Sequence, residues 1–219
     1  MSATGGFPID LVLFGLIALF LVLRLRSILG GRVGFERPRA QQPAPVEAPV
    51  PPTIDGKAEP VPTAPLPEPG TPIGQAFAAM RGIDPRFDPG AFLGGADKAF
   101  RLIVGAFAAG DRTTLRGLLG DDMFHAFDSA IGTRESLGHT QISEIRRIEN
   151  MAFANAALHG SVASLEVRIV SDQISATRDS AGKTIAGTDS VTEIVDIWTF
   201  ERDLRSPNPT WRLVAARSA

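Results

Sequence analysis

The 219-residue sequence contains no cysteine and no tyrosine, and it has only three histidines. Without cysteine the chain cannot form disulfides, thiolate nucleophiles or cysteine-ligated metal sites. Without tyrosine it has no phenolic hydroxyl to act as an acid or an oxyanion donor. Three scattered histidines do not supply the clustered ligands of a metal site, so we expect no metal and no cofactor. The net charge of −2 gives no general attraction to nucleic acid, which we do not expect as a partner.

An apolar segment lies near the N-terminus, over residues 7–25, where the only charged residues are Asp10 and Arg24. About 19 residues at about 1.5 Å each reach about 28 Å, enough to cross the hydrocarbon core of a bilayer. A cleaved signal peptide is the alternative, but no Lys or Arg precedes the segment and no small-residue cleavage site follows it. We therefore predict a single membrane-spanning helix with a short tail, within residues 1–30.

No basic residue precedes this segment. Basic residues lie at its end and shortly after it, namely Arg24, Arg26, Arg32, Arg37 and Arg39. Positive residues stay on the cytoplasmic side, so we predict that the N-terminus is outside and that the rest of the chain is in the cytoplasm. Arg24, Arg26 and Arg32 are also expected to contact anionic lipid headgroups, at about 1 kcal/mol for each residue.

Residues 31–72 form a proline-rich stretch, with 12 of the 17 prolines between residues 38 and 72. Proline lacks a backbone donor and has a fixed φ, so neither helix nor sheet can propagate through such a stretch. Few residues there could build a hydrophobic core. The composition predicts a disordered linker between the anchor and a folded domain.

The remaining sequence shows first a helical and then a strand periodicity. Residues 73–90 predict a short amphipathic helix and a connector. Three further helices are predicted over residues 91–109 and around residues 115–119 and 123–131. Alternating segments rich in Val and Ile then predict antiparallel strands over residues 147–158, 161–179, 190–203 and 210–218. This order indicates an α+β domain over residues 91–219, with about three helices packed on a curved antiparallel sheet.

Two glycine–acid pairs separate these helices. Gly110 is predicted to end one helix in the left-handed conformation, and Asp111 to cap the start of the next. Gly120 and Asp121 are predicted to repeat this arrangement one short helix later. Both pairs are therefore interpreted as helix boundaries and not as a ligand-binding loop.

Several motifs together resemble the Tim44-like domain family, which includes a subunit of the mitochondrial inner-membrane translocase and membrane-anchored bacterial relatives. They are "FDPGAFLGGADKAFRLIVGAFAAGDRTTLRGLL", "VRIVSDQISATRD" and "DIWTFERDLRSPNPTWRLVA". The resemblance implies the cone-shaped fold of the NTF2-like superfamily. It also implies contact with membranes and scaffolding of translocation machinery, without catalysis. The anchor and linker are similar to those of the bacterial branch, which implies location in the bacterial inner membrane.

One carboxylate stands out as a candidate site residue. Asp196 alternates with Trp198 in a predicted strand, so both lie on the same side. Inside an apolar pocket this carboxyl would have a raised pKa and could act as a base. The alternative is that Asp196 lies at the rim and pairs with Arg168 or Arg212. The pocket candidates are Asp196, Trp198, Phe107 and Phe127.

A second candidate site combines apolar and basic residues in the predicted helix and connector of residues 73–90. Phe77, Met80, Arg81 and Arg86 would suit a helix lying on anionic lipid. Packing across the mouth of the cone is the alternative.

The sequence thus leads to two hypotheses, of which the first is a non-enzymatic adaptor that binds membrane lipids or inner-membrane proteins. The second is a domain that binds a small hydrophobic ligand, or performs weak acid–base chemistry around Asp196.

Overall fold

The computed structural model describes residues 64–219 as four helices followed by four strands. The helices are α1 (Pro72–Ile83), α2 (Pro89–Ala109), α3 (Arg112–Leu118) and α4 (Asp121–Ser136), and the strands are β1 (Thr140–His159), β2 (Val162–Arg178), β3 (Thr184–Asp203) and β4 (Arg212–Ser218). The predicted α+β class is confirmed. Four helices pack against the sheet, where about three were predicted, because α1 contributes buried residues to the same core.

The predicted anchor and most of the predicted linker lie outside the described residues. Within residues 64–219, none of the helices has the length and apolar character needed to cross a membrane.

Side-chain caps explain where three of the helices begin. Thr71, Asp88 and Asp111 each precede a helix and accept a hydrogen bond from a backbone N–H in its first turn, at 3.1, 2.6 and 3.0 Å. A proline in the first turn of α1 and of α2 supplies a φ that already suits a helix. Gly110 ends α2 at a φ of 73°, so the first predicted glycine–acid boundary is confirmed.

The second glycine–acid boundary differs from the prediction. Gly120 itself is the residue before α4, and Asp121 is the first residue of the helix, where it forms an ion pair with Arg116 at 3.1 Å. Gly120 N–H donates to the carbonyl of Leu213 in β4 at 2.8 Å. A Cβ at this position would meet Val214 at 3.1 Å, so a glycine allows β4 to pass close to the helix start.

The four strands form one antiparallel sheet in the order β1-β2-β3-β4. Three register shifts in β1, at Ile145/Arg147, Ile148/Asn150 and Phe153/Asn155, mark bulges or irregularities in its pairing with β2. Such bulges bend a strand and increase its twist, which favours a sheet curved around a core.

Two strands begin earlier than the sequence predicts. β1 starts at Thr140 rather than residue 147, and β3 starts at Thr184 rather than residue 190. Gly187 lies between the strands predicted over residues 161–179 and 190–203, where a glycine is typical of a turn. It lies instead within β3 at a φ of 77°, and a Cβ there would meet the carbonyl oxygen of Ser175 at 2.1 Å.

The helices cover one side of the sheet, called here the core face. Alternating residues of β2 fill it, namely Ala163, Leu165, Val167, Ile169, Ser171 and Gln173, all of which are buried. Phe100 of α2 packs edge-on against Trp198 of β3 with ring centroids 4.7 Å apart. The buried apolar residues of helices and strands, apart from Ala176, form a single cluster, so residues 64–219 contain one core.

Candidate binding cleft

A buried ion pair joins the connector between α1 and α2 to the end of β3. The side chains of Asp84 and Arg202 are 5% and 9% exposed, and Arg202 Nη2 donates to Asp84 Oδ2. The backbone N–H and the Nε of Arg86 both donate to Asp84 Oδ1, each at 3.1 Å. The hydrogen bond from Arg202, and then those from Arg86, hold the pKa of Asp84 below its usual value. The connector is therefore held to the sheet by charge-assisted hydrogen bonds.

A cluster of aromatic rings lies beside this ion pair and contacts it through Trp211. The ring centroid of Trp211 lies 4.8 Å from that of Phe92 and 6.0 Å from that of Phe87. The guanidinium of Arg202 lies 5.7 Å from the centre of the Trp211 ring, within range of a cation–π interaction.

An open cleft of about 320 Å³ lies between the start of α2 and the neighbouring ends of β3 and β4. Its lining includes Arg86, Phe87, Phe92, Phe200, Arg202 and Trp211. The Arg86 side chain is 83% exposed at the rim, whereas Arg202 has a buried Nε without a hydrogen-bond partner among the described residues. Asp88 also lines the cleft, but its carboxylate caps α2. Phe87 and Phe92 are only 5% and 7% exposed, so the half-buried Trp211 ring and the rim arginine are the main groups that the cleft offers. These two groups suit a ligand with an apolar part and a negative charge.

Four residues of α1 and its connector were predicted to contact lipid, and the structure buries two of them and exposes the other two. Phe77 and Met80 are 3% and 0% exposed, and Phe77 packs edge-on against Phe153 of β1 at 4.8 Å. Both therefore pack into the domain, which was the alternative interpretation. Arg81 and Arg86 are exposed. The predicted lipid-contacting residues Arg24, Arg26 and Arg32 lie outside the described residues.

Asp196 lies on the core face of β3, opposite Ile169 of β2. Burial raises the pKa of its carboxyl to about 6, and a hydrogen bond from the side chain of Gln173 opposes the increase. Within the described part of the chain, neither Arg168 nor Arg212 pairs with it. The carboxyl is therefore partly buried on the core face, without the arginine partner that the rim placement would give it.

The other pocket candidates form two separate aromatic pairs. Trp198 packs against Phe100, while Phe107 packs against Phe127 at 4.8 Å, where α2 and α4 meet. Neither the cleft nor a groove along α2 and α3 is lined by Asp196 or by these aromatic candidates. The structure therefore does not bring the four candidates together in either opening.

Arg202 and Trp211 were not singled out from the sequence. A signal for Arg202 was present, because the alternation that places Asp196 and Trp198 on one side of β3 also places Arg202 there. Its partner Asp84 precedes it by 118 residues, and no local pattern links the two. Within residues 64–219 no group of three or more acidic or histidine side chains is arranged to hold a metal ion.

Comparison with known proteins agrees with the resemblance seen in the sequence. The model of the Tim44-like domain family matches residues 73–218. No curated protein sequence matches the chain.

Two solved structures resemble the chain at low identity. The intermembrane-space region of the chloroplast protein ARC6 is 12% identical, with a TM-score of 0.45, covering 61% of this chain and 98% of that one. An NTF2-like family protein of Streptomyces avermitilis is 12% identical, with a TM-score of 0.36, covering 59% of this chain and 97% of that one.

Proposed function

This chain belongs to the Tim44-like domain family, and we propose that it is a membrane-anchored, non-enzymatic adaptor. In this proposal the N-terminal segment crosses the bacterial inner membrane once, and the linker presents the folded domain on the cytoplasmic side. The domain binds membrane lipids or membrane-protein partners. A role in protein translocation or in the assembly of membrane complexes is proposed on family membership alone.

The observation that carries this proposal is the composition of the cleft. Its wall combines Phe87, Phe92 and Trp211 with an exposed arginine, Arg86, at the rim. Arg81 is exposed in the last turn of α1, shortly before the connector that holds Arg86. An exposed cation at the rim of an aromatic cleft, with a second exposed cation five residues earlier in the chain, favours contact with an anionic surface that also offers apolar groups.

A second candidate function rests on Asp196. A carboxyl with a pKa of about 6 could exchange protons near neutral pH, as a general base does. Catalysis also needs a bound substrate within reach of that carboxyl. The cleft is lined by other residues, so the adaptor is the function that the geometry supports better.

Replacing both exposed arginines, Arg81→Ala and Arg86→Ala, is expected to weaken binding to anionic vesicles by about fivefold for each residue. This follows from about 1 kcal/mol for each basic residue near a charged membrane surface. The measurement is flotation of residues 64–219, which hold the whole core, with vesicles containing cardiolipin and with vesicles of phosphatidylcholine alone. Binding is expected only to the anionic vesicles, and it should decrease with added salt.

The matched control is Arg146→Ala. Arg146 is an exposed arginine on β1 and pairs with Glu144 at 3.0 Å, as Arg86 pairs with Asp84. Its loss should leave flotation unchanged. Equal flotation with both lipids, or an equal effect of all three substitutions, would show that these arginines do not direct lipid binding. A turnover that is abolished by Asp196→Asn, together with no flotation, would favour the second candidate.

A further inference from the structure

One edge of the sheet is left open beside β4. β4 pairs with β3 only from Asp196 to Glu201, and one further bond joins Ala219 N–H to the carbonyl of Val195 at 2.9 Å. Within residues 64–219, the part of β3 before Val195 has no strand on its outer side. On its other side it pairs with β2 at Thr184, at residues 186–188 and at residues 192–194, whereas Ile185 and residues 189–191 have no partner there. An unpaired edge of this kind presents backbone donors and acceptors that another extended chain can complete.

The direction of the backbone groups supports this interpretation. Alternate residues of an antiparallel strand direct their N–H and C=O to the same edge. Since the carbonyl of Val195 points to the β4 side, the backbone groups of Glu193 point there too, two residues beyond the last bond. The edge also carries exposed apolar side chains, since Val191 is 53% exposed and Ile185 is 48% exposed.

Some of the usual protections of an open edge are missing from this one, while its acids Asp189 and Glu193 and the irregular pairing at residues 189–191 are present. Residues 184–194, "TIAGTDSVTEI", contain no lysine, arginine or proline, which commonly prevent a further strand from pairing. The pairing of β3 with β2 is interrupted at residues 189–191, so the stretch that continues regularly from β4 is residues 192–194, which include Glu193.

The charges across the sheet indicate what the additional strand must carry. Arg147 of β1, Asp172 of β2 and Glu193 of β3 lie in one row, with Arg147 Nε 4.0 Å from Asp172 Oδ2. Two acids are thus directly opposite each other, a pairing that destabilises a sheet. Within the described residues no cation pairs with Glu193. A basic residue on a neighbouring strand would complete the row.

We propose that the open edge of β3 around Glu193 binds an extended peptide segment of a partner protein in which a lysine or arginine alternates with an apolar residue. The backbone of the segment pairs with the edge at residues 192–194, the basic side chain lies beside Glu193, and the apolar side chain lies towards the exposed Val191, where the regular pairing ends. This surface is separate from the cleft, so the inference goes beyond the proposed function. A second copy of this chain is a poorer occupant, because its own edge is acidic and would place Glu193 against like charge.

Two synthetic peptides test the proposal. One alternates threonine with valine and lysine, and its match has glutamate in place of each lysine. Binding to residues 64–219 is followed by hydrogen exchange of the backbone amides. We expect the basic peptide to slow exchange around residue 193 and the acidic peptide to leave it unchanged. Glu193→Lys should weaken the basic peptide by about tenfold, since an attraction becomes a repulsion, and should allow the acidic peptide to bind.

Glu201→Lys is the control, because it changes a charge on the same face of β3 where β4 already occupies the edge. It should leave peptide binding unchanged. The proposal is overturned if neither peptide slows exchange, or if both do so equally. It is also overturned if the edge amides become protected at high protein concentration without peptide, which would identify a second copy as the occupant. Arg86→Ala should not alter any of these results. A negative result for peptide binding at the β3 edge is therefore distinguishable from a negative result for lipid binding at the cleft.

Discussion

Phe100→Ala is expected to lower the free energy of unfolding of residues 64–219 by about 3–5 kcal/mol, a large part of the stability of an ordinary domain. Phe100 is fully buried in α2 and packs edge-on against Trp198 of β3 at 4.7 Å. Its removal leaves a cavity between the longest helix and the sheet, and it also removes a favourable aromatic pair. Denaturant unfolding, followed by tryptophan fluorescence and by circular dichroism, measures the loss.

The control for this substitution lies on the same helix. Leu102→Ala removes a side chain that is 54% exposed, so its effect should stay within about 0.5 kcal/mol. Similar losses for Phe100→Ala and Leu102→Ala would contradict the placement of α2 on the sheet, because they would mean that neither face of the helix is the buried one.

Asp196→Asn is expected to stabilise the domain by about 2–3 kcal/mol at pH 8, since each unit of pKa shift corresponds to about 1.36 kcal/mol. The folded-state pKa of about 6 lies above the value of 3.8 for an unperturbed aspartate, because burial disfavours the charged form. The wild-type domain should therefore lose stability as the pH rises from about 3.8 to about 6, and then stay at the lower level. Asparagine carries no charge to bury and keeps an oxygen that can accept from Gln173.

The pH dependence separates this explanation from a general gain in stability. The advantage of Asp196→Asn should become small near pH 4 and disappear below about pH 3, where the wild-type carboxyl is protonated in both states. Glu201→Gln, on the outer face of the same strand, is the control and should not show this profile. If the wild type and Asp196→Asn change in parallel between pH 4 and pH 8, the carboxyl is not desolvated in the folded protein.

The helices were largely predictable because their signals are local. Thr71, Asp88 and Asp111 act as caps within three residues of the groups that they bond, and Gly110 ends α2 immediately before Asp111. Buried residues recur along α2 at three- and four-residue steps, as the periodicity predicted. The early start of β3 was not predictable in this way, since a glycine at positive φ is as typical of a turn as of an irregular strand.

The cleft was predictable only in part. Arg86 could be identified as a candidate because it follows an amphipathic segment. The packing of Phe77 into the core, and the pairing of Asp84 with Arg202, depend on how distant segments meet. The same periodicity describes a helix that packs on a sheet and one that lies on a lipid surface, because both need one apolar side. Tertiary contacts decide between them, and these do not follow from local spacing.

The most direct test of the adaptor places a photoreactive benzophenone residue at position 91 in the full chain, in native membranes. Ala91 is exposed and lines the cleft, whereas Asp122 is exposed at the start of α4 and serves as the control position. We predict crosslinks to phospholipid or to an integral membrane protein from position 91 but not from position 122. These crosslinks should be lost when Arg81 and Arg86 are replaced by alanine. Equal labelling from both positions, or none from position 91, would contradict a membrane-directed role of the cleft.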